Sequence, residues 1–187
     1  MIRLVLIRHG ETDWNRHMLW QGQTDVPLNP TGRAQASALA RSMRRQDLDA
    51  IYSSDLLRAA QTAEAVAEAT GARLILDPRL REIDLGEWQG TLSEEIRRRD
   101  GNRVDLFFRD PQAHAGVRGE SVGEVLRRVT SAVDEILSRH HTGRVAVVSH
   151  GLALAALKTR ILGLPLEAAW HQEPANSAAE EYELEAK

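Results

Sequence analysis

A short apolar run near the start of the chain, residues 4–7 (LVLI), ends abruptly in Arg8, His9 and Gly10. The run is continuous rather than alternating and contains β-branched residues, which is typical of a strand buried on both faces of a parallel sheet. His9 is therefore expected just past the carboxyl end of this strand, and in open α/β sheets ligands bind at that edge. This placement makes His9 a candidate nucleophile.

The same arrangement recurs late in the chain, where residues 144–148 (RVAVV) precede Ser149, His150 and Gly151. If the two runs are parallel members of one sheet, both imidazoles emerge at the same edge. The glycine after each histidine is expected to let the backbone turn sharply and approach a ligand closely. A single histidine would suggest an ordinary surface or core residue, but two His-Gly pairs at two strand ends favour a functional site.

Predicted strands and helices alternate along the rest of the chain. Further strands are predicted at 49–53, 73–76 and, as an edge strand, 176–184; helices are predicted at about 33–45, at 55–70 with Ser54 as the N-cap, at 93–99, from a Ser121–Glu124 capping box to a stop at Gly143, and at 152–162. The alternation predicts an α/β fold, a three-layer α/β/α sandwich with a mainly parallel central sheet.

The stretch from residue 79 to residue 120 is rich in glycine and is the least regular part of the sequence. It is too long for a plain connection, so it is predicted to form a lid or wall within a single domain that spans residues 1–187. Specificity is expected to lie in the part of this stretch from Arg97 to Arg118 and in the segment from Trp14 to Trp20. The aromatic and imidazole side chains expected to contact an organic group are those of Phe107, Phe108 and His114.

Composition narrows the function classes. The chain has no cysteine, which excludes disulfides and thiolate chemistry, and its net charge of −3 gives no reason to expect nucleic-acid or membrane binding. The apolar run before Arg8 is too short for a signal peptide, so a cytoplasmic location is expected. His140 and His141 are adjacent and would point to different sides of a helix, so no metal site is predicted, and no cofactor is expected either.

Several segments together resemble a known family. Residues 8–12 (RHGET) are similar to the signature of the histidine phosphatase superfamily, also called phosphoglycerate mutase-like. Four further groups of segments follow in the family's order: 21–25 with 28–32, 52–63, 80–90, and 119–121 with 148–151. The pattern is closest to small broad-specificity phosphatases and α-ribazole phosphatases. The resemblance implies the phosphoglycerate mutase-like fold and a small phosphorylated metabolite as the substrate.

Physical chemistry suggests a role for each matching residue. A phosphoryl group carries nearly two negative charges, so without a metal the protein must supply cations, here Arg8 and Arg58. His9 would attack phosphorus, protonated His150 would hold an equatorial oxygen, and Glu82 would give the leaving alkoxide its proton. Asp84 and Glu87 are neighbours that remain alternatives for the acid, and Glu82 pairing with an arginine is the purely structural alternative. Further substrate or phosphate contacts are predicted at Asn15, Gln21, Gly22 and Gly151.

A phosphate-binding pocket formed by these residues could catalyse either of two reactions, and a third hypothesis involves binding with little catalysis. A phosphatase lets water take the phosphoryl group from His9, whereas a cofactor-dependent phosphoglycerate mutase returns it to a bound sugar acid. The short span between Glu82 and His150, 67 residues, and the sequence Leu85-Gly86, where family mutases tend to carry Tyr-Gly, favour the phosphatase. A low-turnover phospho-ligand-binding regulator is the third hypothesis. An edge strand would also allow a homodimer.

Overall fold

The elements of the chain alternate as the sequence predicts. The computed structural model describes residues 1–112 and 118–185, so the predicted contact of His114 lies outside the described residues. The strands are β1 (Ile2–Arg8), β2 (Ala50–Ser53), β3 (Arg73–Leu76), β4 (Gly143–Ser149) and β5 (Ala179–Leu184), and the helices are α1 (Asp13–Arg16), α2 (Pro30–Met43), α3 (Leu57–Thr70), α4 (Ser93–Arg109), α5 (Val122–Arg139) and α6 (Gly151–Leu162). Short 3-10 helices lie at Pro78–Leu80, Gly86–Trp88 and Leu166–His171.

The five strands form one sheet in the order β3-β2-β4-β1-β5. The first four are parallel to one another, and β5 pairs antiparallel with β1 at the edge. In the register of β1 with β4, Arg8 lies opposite Ser149. The predicted mainly parallel sheet and the predicted edge strand near the carboxyl end are therefore confirmed, and the residues that follow Arg8 and Ser149 leave the sheet side by side.

Both faces of the sheet are covered by helices, which accounts for the continuous apolar run in β1. Leu4 and Leu6 pack into a core shared with α5 and α6, whereas Val5 and Ile7 pack into a second core shared with α2 and α3. All four side chains are buried. Each aliphatic side chain of this size contributes about 1.5–3 kcal/mol when it is fully buried. The predicted three-layer α/β/α architecture is confirmed.

The start of α3 differs from the prediction. The helix begins at Leu57 rather than at Asp55, and its N-cap residue is Leu56, which makes no side-chain capping bond. Ser54 is therefore not the N-cap, because the chain makes a bend at residues 55–56 before the helix begins. Arg58 still lies in the first turn of α3, as predicted, so the partial positive charge of the helix N-terminus falls on the same side as its guanidinium.

Two other helix boundaries also differ. The predicted turn before residue 33 is the start of α2, since Asn29 accepts a hydrogen bond from the Gly32 N–H at 2.8 Å and Pro30 occupies the first helical position. The capping box at Ser121 is confirmed. However, α5 ends at Arg139, and Gly143 opens β4 with φ of +94° instead of stopping the helix.

The stretch from residue 79 to residue 120 is more helical than predicted. Helix α4 continues past residue 99 to Arg109, with a break at Asp100, whose φ of −126° is not helical. Asp100 accepts a hydrogen bond at 2.9 Å from Nε1 of Trp88, a buried indole, and this contact holds the break against the preceding 3-10 helix. The role of this stretch as a lid stays a prediction. Within the described part of the chain, no helix has the length and apolarity that crossing a membrane requires.

Candidate active site

Three neighbouring parallel strands end at one point, and each delivers a polar side chain there. Ser54 follows β2, His150 follows β4 and His9 follows β1. Backbone bonds extend the ladder beyond the strands, since the N–H of His9 donates to the carbonyl of Ser149 at 3.0 Å and that of Ser54 to the carbonyl of Val148 at 3.0 Å. The prediction that both histidines emerge at the same edge of the sheet is confirmed, and their ring centroids lie 5.1 Å apart.

The imidazole of His9 is buried and held in one tautomer. Its Nδ1 lies 2.7 Å from the carbonyl oxygen of Gly10, so Nδ1 carries the proton and donates it, and Nε2 keeps a free lone pair. Burial lowers the pKa of His9 well below its usual value. The charges of Arg58 and Arg8 lower it further, and the bond to Gly10 opposes them only in part. A neutral ring with Nε2 unprotonated is the form that a nucleophile needs.

His150 is fully buried beside it and is oriented by a hydroxyl group. Its Nε2 lies 2.8 Å from the Oγ of Ser54, while its Nδ1 is a buried atom without a partner among the described residues. Burial lowers the pKa of His150, and the charge of Arg58 lowers it further. A bound phosphate dianion would act in the opposite direction and favour the protonated ring. The orphaned Nδ1 is then the atom left to donate to a phosphate oxygen.

Arg58 and Arg8 place two guanidinium groups at the same point. Arg58 is buried, and its Nη2 and Nη1 donate to the carbonyls of Gly22 and Thr24 at 2.7 and 2.8 Å. Burial lowers the pKa of Arg58 to about 10, which still leaves the group charged at neutral pH. Arg8 donates through Nη1 to the carbonyl of Pro174 at 2.6 Å. The Nε atoms of both arginines are buried without a described partner, and a phosphoryl group would satisfy such donors.

Glu82 lies across the cavity at the start of α6. Its carboxylate accepts from the N–H groups of Ile83 (3.0 Å), Leu152 (3.1 Å) and Ala153 (3.0 Å), so it caps this helix instead of pairing with an arginine. Of the two alternative acids, Asp84 accepts at 2.9 Å from the N–H of Gly86 in a local turn. Glu87, the other, is exposed, and neither side chain lines the cavity. Glu82 is the acid candidate that the fold brings to His9.

The backbone of Glu82 is held by an arginine that the sequence did not single out. The Nη2 of Arg128, on α5, donates to the carbonyl of Glu82 at 2.7 Å, and its Nη1 donates to the carbonyl of Arg79 at 2.9 Å. Glu120 fixes the same guanidinium, with its Oε1 accepting from Nε at 2.8 Å. The sequence gives little indication of this contact, because Arg128 resembles the many exposed arginines of predicted helices. Only the fold shows that it lies behind the backbone of residue 82.

The glycines after the two histidines allow close packing. Neither Gly10 nor Gly151 has a positive φ, so neither is required for a left-handed backbone. A Cβ on Gly10 would lie 2.6 Å from the carbonyl oxygen of Gly32, and one on Gly151 would lie 2.8 Å from Oε2 of Glu173 and 3.2 Å from Nη2 of Arg8. Glycine at 151 thus leaves room for Arg8 to reach the site.

The predicted phosphate contacts have different surroundings. Gln21 and Gly22 line the cavity, and Gly22 has φ of +53°, which favours glycine. Asn15 is not a lining residue; its Oδ1 accepts at 3.1 Å from the N–H of Thr12 in a capping box at α1. That bond leaves the amide nitrogen of Asn15 for a ligand, so its phosphate contact stays a prediction.

A cavity of about 310 Å³ lies at this edge of the sheet. Its lining residues are Arg8, His9, Trp20, Gln21, Gly22, Arg58, Glu82, Ile83, Leu85, Phe107, Phe108, Leu152, Trp170 and Glu173. The predicted site residues His150 and Gly151 do not line it. The predicted wall residues Trp20, Phe107 and Phe108 thus line it, whereas Trp14 packs against Gly90. Among the residues described, no group of three or more His, Asp or Glu side chains is arranged to hold a metal ion.

Glu173 is a charged lining residue that sequence reasoning missed. It lies in the loop after the last 3-10 helix, and its Oε2 is 3.6 Å from Nη1 of Arg8. Burial raises the pKa of this carboxyl, and the nearby charge of Glu82 raises it further, while Arg8 lowers it. An isolated Glu in an irregular tail has no pattern that marks it, so only the tertiary structure reveals it.

The fold and this pair of histidines define a class of protein, and comparison with known families agrees. The model of the histidine phosphatase superfamily (branch 1) matches residues 4–187. The chain therefore belongs to this superfamily. The predicted family and the predicted enzyme class, phosphoric monoester hydrolase, are confirmed.

Individual relatives are similar over most of the chain. Phosphoserine phosphatase 1 of Hydrogenobacter thermophilus is 36% identical over 170 residues, which cover 91% of this chain and 81% of that one. A Cronobacter sakazakii protein named "Probable phosphoglycerate mutase GpmB" is 41% identical over 169 residues, covering 88% and 77%. The solved structure of Bacillus stearothermophilus YhfR superposes with a TM-score of 0.91 at 36% identity, covering 99% of this chain and 92% of that one.

The two buried histidines predict how stability depends on pH. In the unfolded chain each ring takes up a proton near its ordinary pKa of 6.5, but in the folded chain each pKa lies well below that value. The unfolded state therefore binds more protons below pH 6.5, and the free energy of unfolding falls as the pH falls. The slope is about 1.4 kcal/mol per pH unit for each histidine until its folded pKa is reached. Urea unfolding of the ligand-free protein at pH values from 8 to 5 measures this slope.

The His9→Asn variant is the control for this prediction. It removes one of the two titrating rings. Below pH 6.5, its free energy of unfolding should therefore change less steeply with pH than that of the wild-type protein, by the contribution of about one bound proton. Equal slopes in the two proteins would contradict the lowered pKa of His9.

Proposed function

We propose that this protein is a metal-independent phosphatase that hydrolyses small phosphate monoesters through a phosphohistidine on His9. The observation that carries the proposal is the pairing of a buried, tautomer-fixed His9 with two guanidinium groups that have orphaned Nε atoms. These groups, together with His150, supply the cations that a transferring phosphoryl group needs. The family match and the relative named phosphoserine phosphatase support the same reaction class.

In the first step, Nε2 of His9 attacks phosphorus and the bond from phosphorus to the ester oxygen breaks. The leaving alkoxide takes a proton from Glu82, which becomes a carboxylate. Arg8, Arg58 and His150 hold the three equatorial oxygens as their charge develops. In the second step, the Glu82 carboxylate accepts a proton from water as its oxygen attacks phosphorus. The bond from phosphorus to Nε2 breaks, inorganic phosphate leaves, and both His9 and Glu82 are restored.

The mutase hypothesis keeps the same pocket but excludes water. It is favoured by the names of several relatives, among them the Cronobacter sakazakii protein, but the cavity offers less support. The lining of the cavity includes the aromatic Trp20, Phe107, Phe108 and Trp170 and the acidic Glu173, whereas a sugar acid needs donors for its carboxylate. A regulator with little turnover would need no proton donor, yet Glu82 lies in the cavity. Hydrolysis is the function that these residues support best.

The proposal also covers the class of substrate, the cellular location and the partners of the protein. A cavity of about 310 Å³ fits a small phosphorylated metabolite. We also infer a cytoplasmic location, with no nucleic-acid or membrane partner, from the absence of cysteine and the charge of −3. The outer edge of β5 would allow a homodimer.

A panel of phosphate monoesters assayed with EDTA throughout tests this function. The panel contains propyl phosphate, O-phosphoserine and 3-phosphoglycerate, the last with and without 2,3-bisphosphoglycerate. We expect release of inorganic phosphate from more than one ester, unaffected by EDTA, because the required charge comes from side chains. Phosphate is measured colorimetrically, and 2-phosphoglycerate is measured with enolase after EDTA is removed.

Three outcomes would contradict parts of this proposal. Isomerisation that outpaces phosphate release would establish the mutase reaction. Release that is lost with EDTA and restored by a divalent metal would overturn metal independence. Tight binding of inorganic phosphate without turnover of any ester would establish the regulator.

A further inference from the structure

Apart from the groups that take part in the chemical steps, the lining of the cavity has two surfaces of different chemistry. One is formed by Trp20, Phe107, Phe108 and Trp170, which we call the aromatic wall. The other is the carboxylate of Glu173, which lies over the start of α6 within reach of Arg8. These side chains come from three separate segments, the loop after α1, the end of α4 and the segment that follows α6. Neither surface has a role in the proposed chemical steps.

The aromatic wall is fixed before any ligand binds. The ring centroids of Phe107 and Phe108 each lie 4.9 Å from that of Trp170, and Trp20 lies 6.0 Å from Phe107. The Nε1 of Trp170 also donates to the carbonyl of Phe108 at 3.0 Å, which fixes the indole. Within the wall, Phe107 is buried, whereas Phe108 is 40% exposed. Preformed rings lose little side-chain entropy on binding and favour edge-to-face or offset contact with another ring.

The carboxylate of Glu173 makes the same space unfavourable for a second negative charge. Glu173 pairs with Arg8, whose Nη1 lies 3.6 Å from its Oε2, and a bound phosphoryl group engages the same guanidinium. A substrate carboxylate placed beside Glu173 would meet its negative charge while the guanidinium of Arg8 is occupied by the phosphoryl group. Glu173 therefore acts as a selecting group through repulsion.

We propose that the cavity selects phosphate monoesters whose alcohol portion carries a planar apolar group and no carboxylate. The aromatic wall binds the planar group, and Glu173 rejects acidic esters. The inference rests on the proposed phosphatase function and specifies its substrate class. It predicts that 3-phosphoglycerate and O-phosphoserine are poorer substrates than a benzyl ester.

The test compares kcat/KM at pH 8 for benzyl phosphate, propyl phosphate and 3-phosphoglycerate. Benzyl alcohol and propanol are both poor leaving groups, so a difference between their esters reports contact with the ring rather than leaving-group chemistry. We expect benzyl phosphate to exceed propyl phosphate by about tenfold, chiefly through KM, and 3-phosphoglycerate to lie below propyl phosphate by about tenfold.

Two variants assign these ratios to named residues. Phe108→Ala should lower the benzyl-to-propyl ratio by about tenfold. Leu106 is also exposed on the same helix but does not line the cavity, so Leu106→Ala should leave the ratio unchanged. Glu173→Gln keeps the shape of the side chain and removes its charge, so it should raise the ratio of 3-phosphoglycerate to propyl phosphate by about tenfold.

The outcomes separate this inference from the function on which it rests. Equal kcat/KM for the three esters in the wild-type protein, or ratios that neither variant changes, would overturn the inference while phosphate release still supports the phosphatase. A preference for 3-phosphoglycerate or O-phosphoserine over benzyl phosphate would overturn it as well. Failure to release phosphate from every ester would instead overturn the proposed function.

Discussion

His9→Ala is expected to lower kcat/KM for every ester by about 10⁴-fold or more and to abolish covalent incorporation of phosphate. The reason is geometric. Nδ1 of His9 is committed to the carbonyl of Gly10 at 2.7 Å, so Nε2 is the lone pair presented to phosphorus, and alanine has none. The measurement is brief incubation with a ³²P-labelled ester, followed by alkaline denaturation, which preserves phosphohistidine, and by peptide mapping.

His17→Ala is the matched control, because His17 is exposed just after α1 and makes no contact with the cavity. It should trap phosphate as the wild-type protein does. Phosphate that remains bound to the protein in His9→Ala would place the nucleophile elsewhere. His150 would be the first residue to test, since its ring centroid lies 5.1 Å from that of His9 and its Nδ1 is unpartnered among the described residues.

Glu82→Gln has the second largest expected effect. For propyl phosphate, whose alkoxide needs a proton, kcat should fall by about 10²–10⁴-fold. The glutamine keeps an Oε1 that can accept from the N–H groups of Ile83 and Ala153, and only the bond from the Leu152 N–H to Oε2 is lost. Most of the cap at the start of α6 therefore remains, and the loss chiefly reports proton transfer. Steady-state kinetics with propyl phosphate measures the effect.

The p-nitrophenyl ester separates the two roles proposed for Glu82. Its leaving group needs no proton, so the first step should survive in Glu82→Gln, whereas attack of water on phosphohistidine should remain slow. Stopped-flow absorbance should therefore show a stoichiometric burst of p-nitrophenolate followed by slow turnover. The control is Glu87→Gln, an exposed neighbour outside the cavity, which should behave as wild type. An equal loss in both variants, or an unchanged kcat in Glu82→Gln, would refute the assignment.

Much of the fold could be predicted because the burial of a strand or of a helix face produces a recognisable pattern of apolar residues close together in the sequence. The continuous apolar run in β1 and the periodicity of α5 each depend on residues close in sequence, and the structure confirms both elements. The helix boundaries were less predictable. Ser54 has the chemistry of an N-cap, yet its hydroxyl contacts His150, 96 positions away in sequence. A local pattern cannot show which of two partners a short polar side chain will take.

The sequence by itself determined the sheet, the two strand-end histidines and the family, because short-range patterns encode strands and their ends. It also identified Arg58 and Glu82 through the resemblance. Only the tertiary structure decided that Nδ1 of His9 is bound to Gly10, that Arg128 holds the backbone of Glu82, and that Glu173 approaches Arg8. These contacts join residues distant in sequence or depend on which ring atom faces which carbonyl. Tertiary packing determines these contacts, because it alone brings together the residues that line the substrate side of the cavity.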